Sequence, residues 1–300
     1  MKTSDNDLHV KKRTIKTPNA LYKDHELTAS HFNKIISHNN NTDAFLNLGF
    51  LCLSKEDFEG ALRCFKKLIE LEPRNPEAFN NLGYVFERMD MLDSAKKNYE
   101  IALGLDPTNM EANLNIGHIL ELQGDYHRAV THYRKAIDIT PEAVSPRFCL
   151  AVLYDRHDMY DEAIEAYLHI LRIQPEHLKA SYNLGRIFYQ LGDYKEAIEK
   201  FKNVLILDSQ HADAWNNIGS VYESLKDYAS AIDAYRKALA INPFHEETNY
   251  NLANIQYIIF KSHPDKVNKS DVIRRLHFIH SLNPNNSKVD KLLHLVHDAS

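Results

Sequence analysis

The chain's 17 histidines are the first residues whose type and spacing could do chemistry. Two pairs stand three apart, His277 with His280 and His294 with His297; on a helix that spacing puts both imidazoles on one face. Four such ligands on two packed helices could hold a transition metal. The competing reading makes them polar positions flanking Leu276, Ile279, Leu293 and Val296. It is preferred, so no metal or other cofactor is assigned. Cys52, Cys64 and Cys149 leave an odd thiol if any two pair, which argues for a reducing compartment and against a disulfide-stapled secreted fold. Cys52 reads as core packing and not as a reactive thiol. There is no glycine-rich phosphate loop, H-E-x-x-H, C-x-x-C or nucleophile elbow, so no catalytic residue is expected. A net charge of −5 gives no electrostatic reason to seek nucleic acid. With no apolar run long enough for a leader or a membrane span, a cytoplasmic location is expected.

What remains is a row of carboxamides. Asn47, Asn81, Asn115, Asn183, Asn217 and Asn251 stand at multiples of 34 residues, with Cys149 in the one place that breaks the row. Each amide offers two donors and an acceptor, so such a row can pair with successive peptide groups of an extended chain whatever its side chains. The competing reading is that each amide only bonds the neighbouring repeat.

The elements that must position this row repeat with the same period. Pro73, Pro107, Pro141 and Pro175 are 34 apart, and so are Gly49, Gly83 and Gly117, with Gly185 and Gly219 in step later. Ala61, Ala95, Ala129, Ala163, Ala197 and Ala231 recur, each followed four residues on by an aromatic ring. Apolar residues at i, i+3, i+4 and i+7 predict two amphipathic helices per unit, A and B. Gly83 and Ala95 are small where the two helices approach, and Tyr99 fills the space beside them. Proline ends helix B and turns the chain.

The set Trp215, Ile218, Gly219, Tyr222, Ala231, Tyr235, Ala238 and Pro243 resembles the tetratricopeptide repeat. The resemblance implies an all-α fold: a right-handed superhelical solenoid of tandem antiparallel helix pairs with a concave groove lined by the A helices. The expected organisation is a disordered basic arm over 1–23, a leading helix over 24–41 and six repeats over 42–245. A degenerate seventh repeat with a longer polar loop follows over 246–284, then a capping helix over 285–300. The groove is the usual ligand surface of the family, and a similar asparagine ladder holds peptide backbone in O-linked N-acetylglucosamine transferases.

Other groove-facing places divide the surface. Asp43, Glu77, Glu87, Glu111 and Glu121 make an acidic half, whereas Phe148, Tyr182, Tyr189, Tyr250 and Tyr257 make an aromatic half. A ligand with basic residues toward one end and large apolar ones toward the other would match. Residues 42–245 carry 31 acids against 22 bases, and residues 1–41 carry 4 against 7; the basic arm could therefore meet the acidic body or another acidic surface. The lysine-rich clamp with which some family members grip chaperone C-termini is missing, because the fifth places of the units hold no lysine. The expectation is thus a non-enzymatic scaffold or adaptor that binds an extended protein segment, with self-association left open. The alternatives are a chaperone for a secretion substrate or assembly subunit, and the targeting subunit of a separate transferase.

Overall fold

The computed structural model describes residues 42–298. The expected arm and leading helix lie outside the described residues. Among those described there are fifteen α-helices and no strand, as the repeat pattern predicts. The chain divides into two compact units, the first ending at His157 and the second beginning at Asp158.

In the first unit, α1 (Thr42–Ser54), α3 (Pro76–Arg88), α5 (Met110–Leu122) and α7 (Val144–Arg156) take the A positions. The B positions belong to α2 (Phe58–Leu71), α4 (Leu92–Leu105) and α6 (Tyr126–Ile139). Each A helix from α1 to α5 pairs with the B helix that follows, and α3, α5 and α7 lie side by side. The second unit opens with α8 (Tyr160–Ile173), followed by the pairs α9 (Leu178–Leu191) with α10 (Tyr194–Leu207), and α11 (Ala212–Ser224) with α12 (Tyr228–Ile241). A third pair, α13 (Glu246–Ser262) with α14 (Lys269–Leu282), carries α15 (Ser287–Asp298) in the next A place, beside α13.

Local chemistry sets the helix ends. Asn75 and Asn109 accept the amide N–H of Ala78 and Ala112 through their side chains; at the same place in the second unit His177, His211 and His245 do so through Nδ1, accepting from Ala180, Ala214 and Thr248. An N-cap acceptor satisfies a donor that the helix leaves unpaired. The turn from A to B needs one residue in the left-handed region: Gly124 and Gly192 supply it at φ 76° and 85°, whereas Glu56, Asp90, Asp158 and Lys226 adopt φ 56–60°.

The small residue of helix A is fixed by packing. A Cβ on Gly83 would lie 2.7 Å from the ring of Tyr99, which is itself fully buried. The same aromatic-on-glycine contact recurs in both units.

The seventh pair departs from the period in an unexpected way. The sequence places the extra seven residues before Pro284 in a polar loop over 261–269. In the structure α13 has 17 residues where the other A helices have 13 or 14, so Lys261 and Ser262 are helical and only part of the excess lies in the turn that follows. α15 packs Val289, Leu292 and Val296 against Val272, Leu276 and Ile279 of α14 and Ala253 of α13.

Candidate interaction surface

In the first unit Asn47 is exposed, and Asn115 donates from Nδ2 to Asn80 Oδ1 at 3.0 Å. Asn81 is 6% exposed, and its Nδ2 is buried without a hydrogen-bond partner. It therefore sits too deep to offer the amide expected of a ladder rung. The Cys149 thiol, in the broken place, is pushed up to about 12 by burial, with Glu121 adding to the effect, and stays neutral. In the second unit Asn183 donates to the Tyr167 hydroxyl at 3.0 Å, Asn217 to the Tyr182 hydroxyl at 3.1 Å and Asn251 to Asn216 Oδ1 at 3.3 Å. All three are half-buried. Each spends one N–H on a preceding helix; a carboxamide carries a second N–H and an oxygen with two lone pairs.

The acids of the first unit are deployed differently from expectation. The side chains of Glu87 and Glu121 are only 12% and 14% exposed. Glu87 accepts the Tyr99 hydroxyl at 2.7 Å and meets His118 Nδ1 at 2.9 Å. Glu121 accepts the Tyr133 hydroxyl at 2.8 Å and a guanidinium N–H of Arg156. Both tie one repeat to the next, so their assignment as charges presented to a basic ligand is corrected: they are enclosed and already partnered. Burial is the largest influence on His118 and works to lower its pKa, but the Glu87 hydrogen bond and the charges of Glu87 and Glu121 outweigh it, and the net direction is up. Burial and then Glu87 raise the Tyr99 phenol, which stays a donor.

A third relay stands in the second unit, where Glu223 accepts the Tyr235 hydroxyl at 2.8 Å and the Asn254 amide at 3.3 Å. The sequence holds the signal for these relays. Tyr99, Tyr133 and Tyr235 each follow a glutamate by twelve residues (Glu87, Glu121, Glu223), whereas Phe65 and Phe201 follow Leu53 and Tyr189. A phenol brings a buried acceptor with it, and a plain ring does not.

Two of the five expected rings are not on the surface. Phe148 is 4% exposed, in a helix α7 that also buries Cys149, Leu150, Ala151, Leu153 and Tyr154. Tyr257 is 9% exposed, packs with Val289 and Leu292 of α15 and donates its hydroxyl to the Leu295 carbonyl at 3.2 Å; it belongs to the core that the last helix closes. Tyr182, Tyr189 and Tyr250 are half-buried. Tyr182 rests on Phe201 and His211, with ring centroids 5.9 and 5.2 Å away. The Tyr189 hydroxyl lies 3.3 Å from Ser224 Oγ. These three are rings that a ligand can still reach.

Among the described residues no three histidine, cysteine or acidic side chains converge as metal ligands. His280 Nδ1 lies 3.1 Å from Asp290 Oδ1, while His277, His294 and His297 are exposed. No described helix is long and apolar enough to cross a membrane.

Tetratricopeptide repeat family models match residues 91–144 and 212–245, and a TPR repeat model matches 49–90 and 185–226. No curated protein matches the chain. Among solved structures, the C-terminal part of a TPR repeat-containing protein from Cytophaga hutchinsonii is 18% identical, over 82% of this chain and 98% of that one, with a TM-score of 0.67. The pilF protein of Pseudomonas aeruginosa is 20% identical, over 71% and 97%, with a TM-score of 0.62. YrrB, described as a TPR protein with an unusual peptide-binding site, is 23% identical, over 61% and 95%, with a TM-score of 0.55. At these identities the likeness is one of fold. With the 34-residue period, the paired helices and the ring-on-glycine contacts, the matches make the chain a member of the tetratricopeptide repeat family.

Proposed function

We propose that the protein is a non-enzymatic interaction scaffold whose A helices hold an extended segment of a partner protein. The observation that carries this reading is the half-exposed row Asn183, Asn217 and Asn251. Each amide is fixed in place by one donated hydrogen bond, and each has hydrogen-bonding capacity that this bond does not use. Fixed, regularly spaced amides read main chain with little ordering cost. Tyr182 and Tyr189 beside them supply apolar contact. The peptide-binding site named for YrrB supports the same use of the fold. A reducing, cytoplasmic compartment belongs to this reading, on the odd number of cysteines in the sequence.

The test is capture from a native extract with wild type and with Asn183→Ala, Asn217→Ala. Lys202→Glu, on the exposed side of α10, serves as control, and helical content is matched by circular dichroism. Proteins retained by wild type and control but lost by the amide variant support the groove. Equal retention on all three baits overturns it. Alanine at Tyr182 is a poorer probe, because its ring also packs against the core of the second unit.

A further inference from the structure

At the C-terminal end of the second unit, α13 and α15 flank an open cavity of about 570 Å³. Tyr250, Ile258 and Leu295 contribute apolar surface, and Lys261, Lys288 and Lys291 stand around it. Leu295 is 53% exposed. The extra turn of α13 is what brings Lys261 here, since a helix of 13 residues would end before it. Among the described residues none of the three lysines is in an ion pair, and no acid lines the cavity. Glu223, whose charge reaches Tyr250, is occupied by the Tyr235 hydroxyl and the Asn254 amide. Asp290 on α15 faces His280. A cluster of three ammonium groups therefore stands in a chain whose residues 42–245 carry 31 acids against 22 bases.

We propose that this cavity takes an acidic segment of a partner protein that carries one large apolar side chain. The apolar group lies on Tyr250, Ile258 and Leu295, and the flanking carboxylates lie on the lysines. The charge is complementary and the apolar surface is already open to solvent, so both contacts are gained on binding. This inference rests on the groove reading and adds what the far end of that surface selects. Its charge preference is opposite to the basic ligand that the sequence alone suggests.

The experiment is a fluorescence-anisotropy titration of the full chain with a labelled dodecapeptide, a single central Phe flanked by glutamates, and with a twin carrying Gln in place of every Glu. The acidic probe is expected to bind and to weaken with added salt; the Gln twin should bind about tenfold more weakly, and Lys288→Glu, Lys291→Glu should cost the acidic probe about tenfold or more. Both lysines are exposed, and Lys288 lies in the first turn of α15, where an acid is favourable, so the variant should fold. Lys288→Gln, Lys291→Gln should give an intermediate loss. Absence of saturable binding to wild type, or equal affinity for the reversed variant, overturns the proposal. Asn183→Ala, Asn217→Ala separates the two readings. If that variant loses captured partners while lysine reversal leaves the acidic probe untouched, the groove stands and the cavity falls; the converse result keeps the cavity and removes the ladder.

Discussion

A histidine caps a helix only while its Nδ1 keeps a lone pair, which makes the cap at His177 sensitive to acid. Burial is the main influence that pulls His177 below the ordinary histidine range; Lys179 adds to it, and the hydrogen bond to backbone opposes both. The folded chain therefore takes this proton less readily than the unfolded one. The stabilisation is complete above the unfolded value of about 6.5 and is lost as pH falls through the lower folded value. His177→Asn keeps the cap without the titration, so the acid limb of Tm between about pH 7 and 5 should flatten; an unchanged slope would place that titration elsewhere. His118 has the opposite sign: with its pKa raised in the fold, its contribution is complete below about 6.5 and fades as pH rises past the raised value. The enclosed acids give a second test at this scale. Tyr99→Phe removes a donor from a carboxylate that is 12% exposed and should cost about 1–3 kcal/mol. In the Glu87→Leu background the same change should cost much less, as the natural Phe65 and Leu53 arrangement implies, and chemical denaturation of the four variants measures the coupling. Additive losses would show that the hydroxyl bond contributes nothing of its own. The asparagine row was plain in the sequence because it repeats one residue type at one period. The depth of Glu87 was not, since a carboxylate on helix A reads as surface until the phenol twelve residues later is counted with it.

Helix pairs were legible because glycine, proline and aromatic residues mark the contacts where size is critical. Gly83→Ala should therefore destabilise by about 1–3 kcal/mol, because a new Cβ meets the Tyr99 ring at 2.7 Å and the ring is enclosed. A thermal melt with no shift would mean that the ring can retreat. The turn between A and B was less legible. Its left-handed place falls at residues 56, 90, 124, 158, 192 and 226, and only two of the six are glycine, so composition alone does not reveal it. Lys226 holds φ 60° there with a Cβ that disfavours this region. Lys226→Gly should raise stability by up to about 1 kcal/mol, with the relief of backbone strain partly offset by the unfolded-state entropy of glycine. A lower Tm would show that the Lys226 side chain contributes more than its backbone conformation costs. Periodicity fails in a different way at α7. The fifth place of a unit reads as a groove place, but Asn80, Leu114 and Asn216 are buried there as Phe148 is, and around Phe148 the run from 148 to 154 is apolar throughout.

At the scale of the chain, fold and function separate. The 34-residue period determines which residues meet within a hairpin, and it does so wherever the period holds. Where it fails, at the long α13, the structure holds what the pattern could not supply: an extra turn and a lysine-rimmed cavity. A stack of repeats is stabilised by neighbours, so each hairpin depends chiefly on the ones that flank it. In the second unit α15 stands where another A helix would stand, and it covers the apolar faces of α13 and α14 with Val289, Leu292 and Val296. Stopping the chain after Pro284 should uncover those faces at a cost on the order of several kcal/mol, because each buried aliphatic side chain is worth about 1.5–3 kcal/mol. The loss should be graded. Amide exchange should accelerate most in α13 and α14, less in α11 and α12, and least in α9 and α10, in keeping with coupling that passes only through adjacent hairpins. A uniform loss of protection across all three pairs would mean that the unit unfolds as one cooperative body. Unchanged protection in α14 would mean that α15 is an appendage of the stack and not its cover, and the cavity it forms with α13 would then lack a fixed wall.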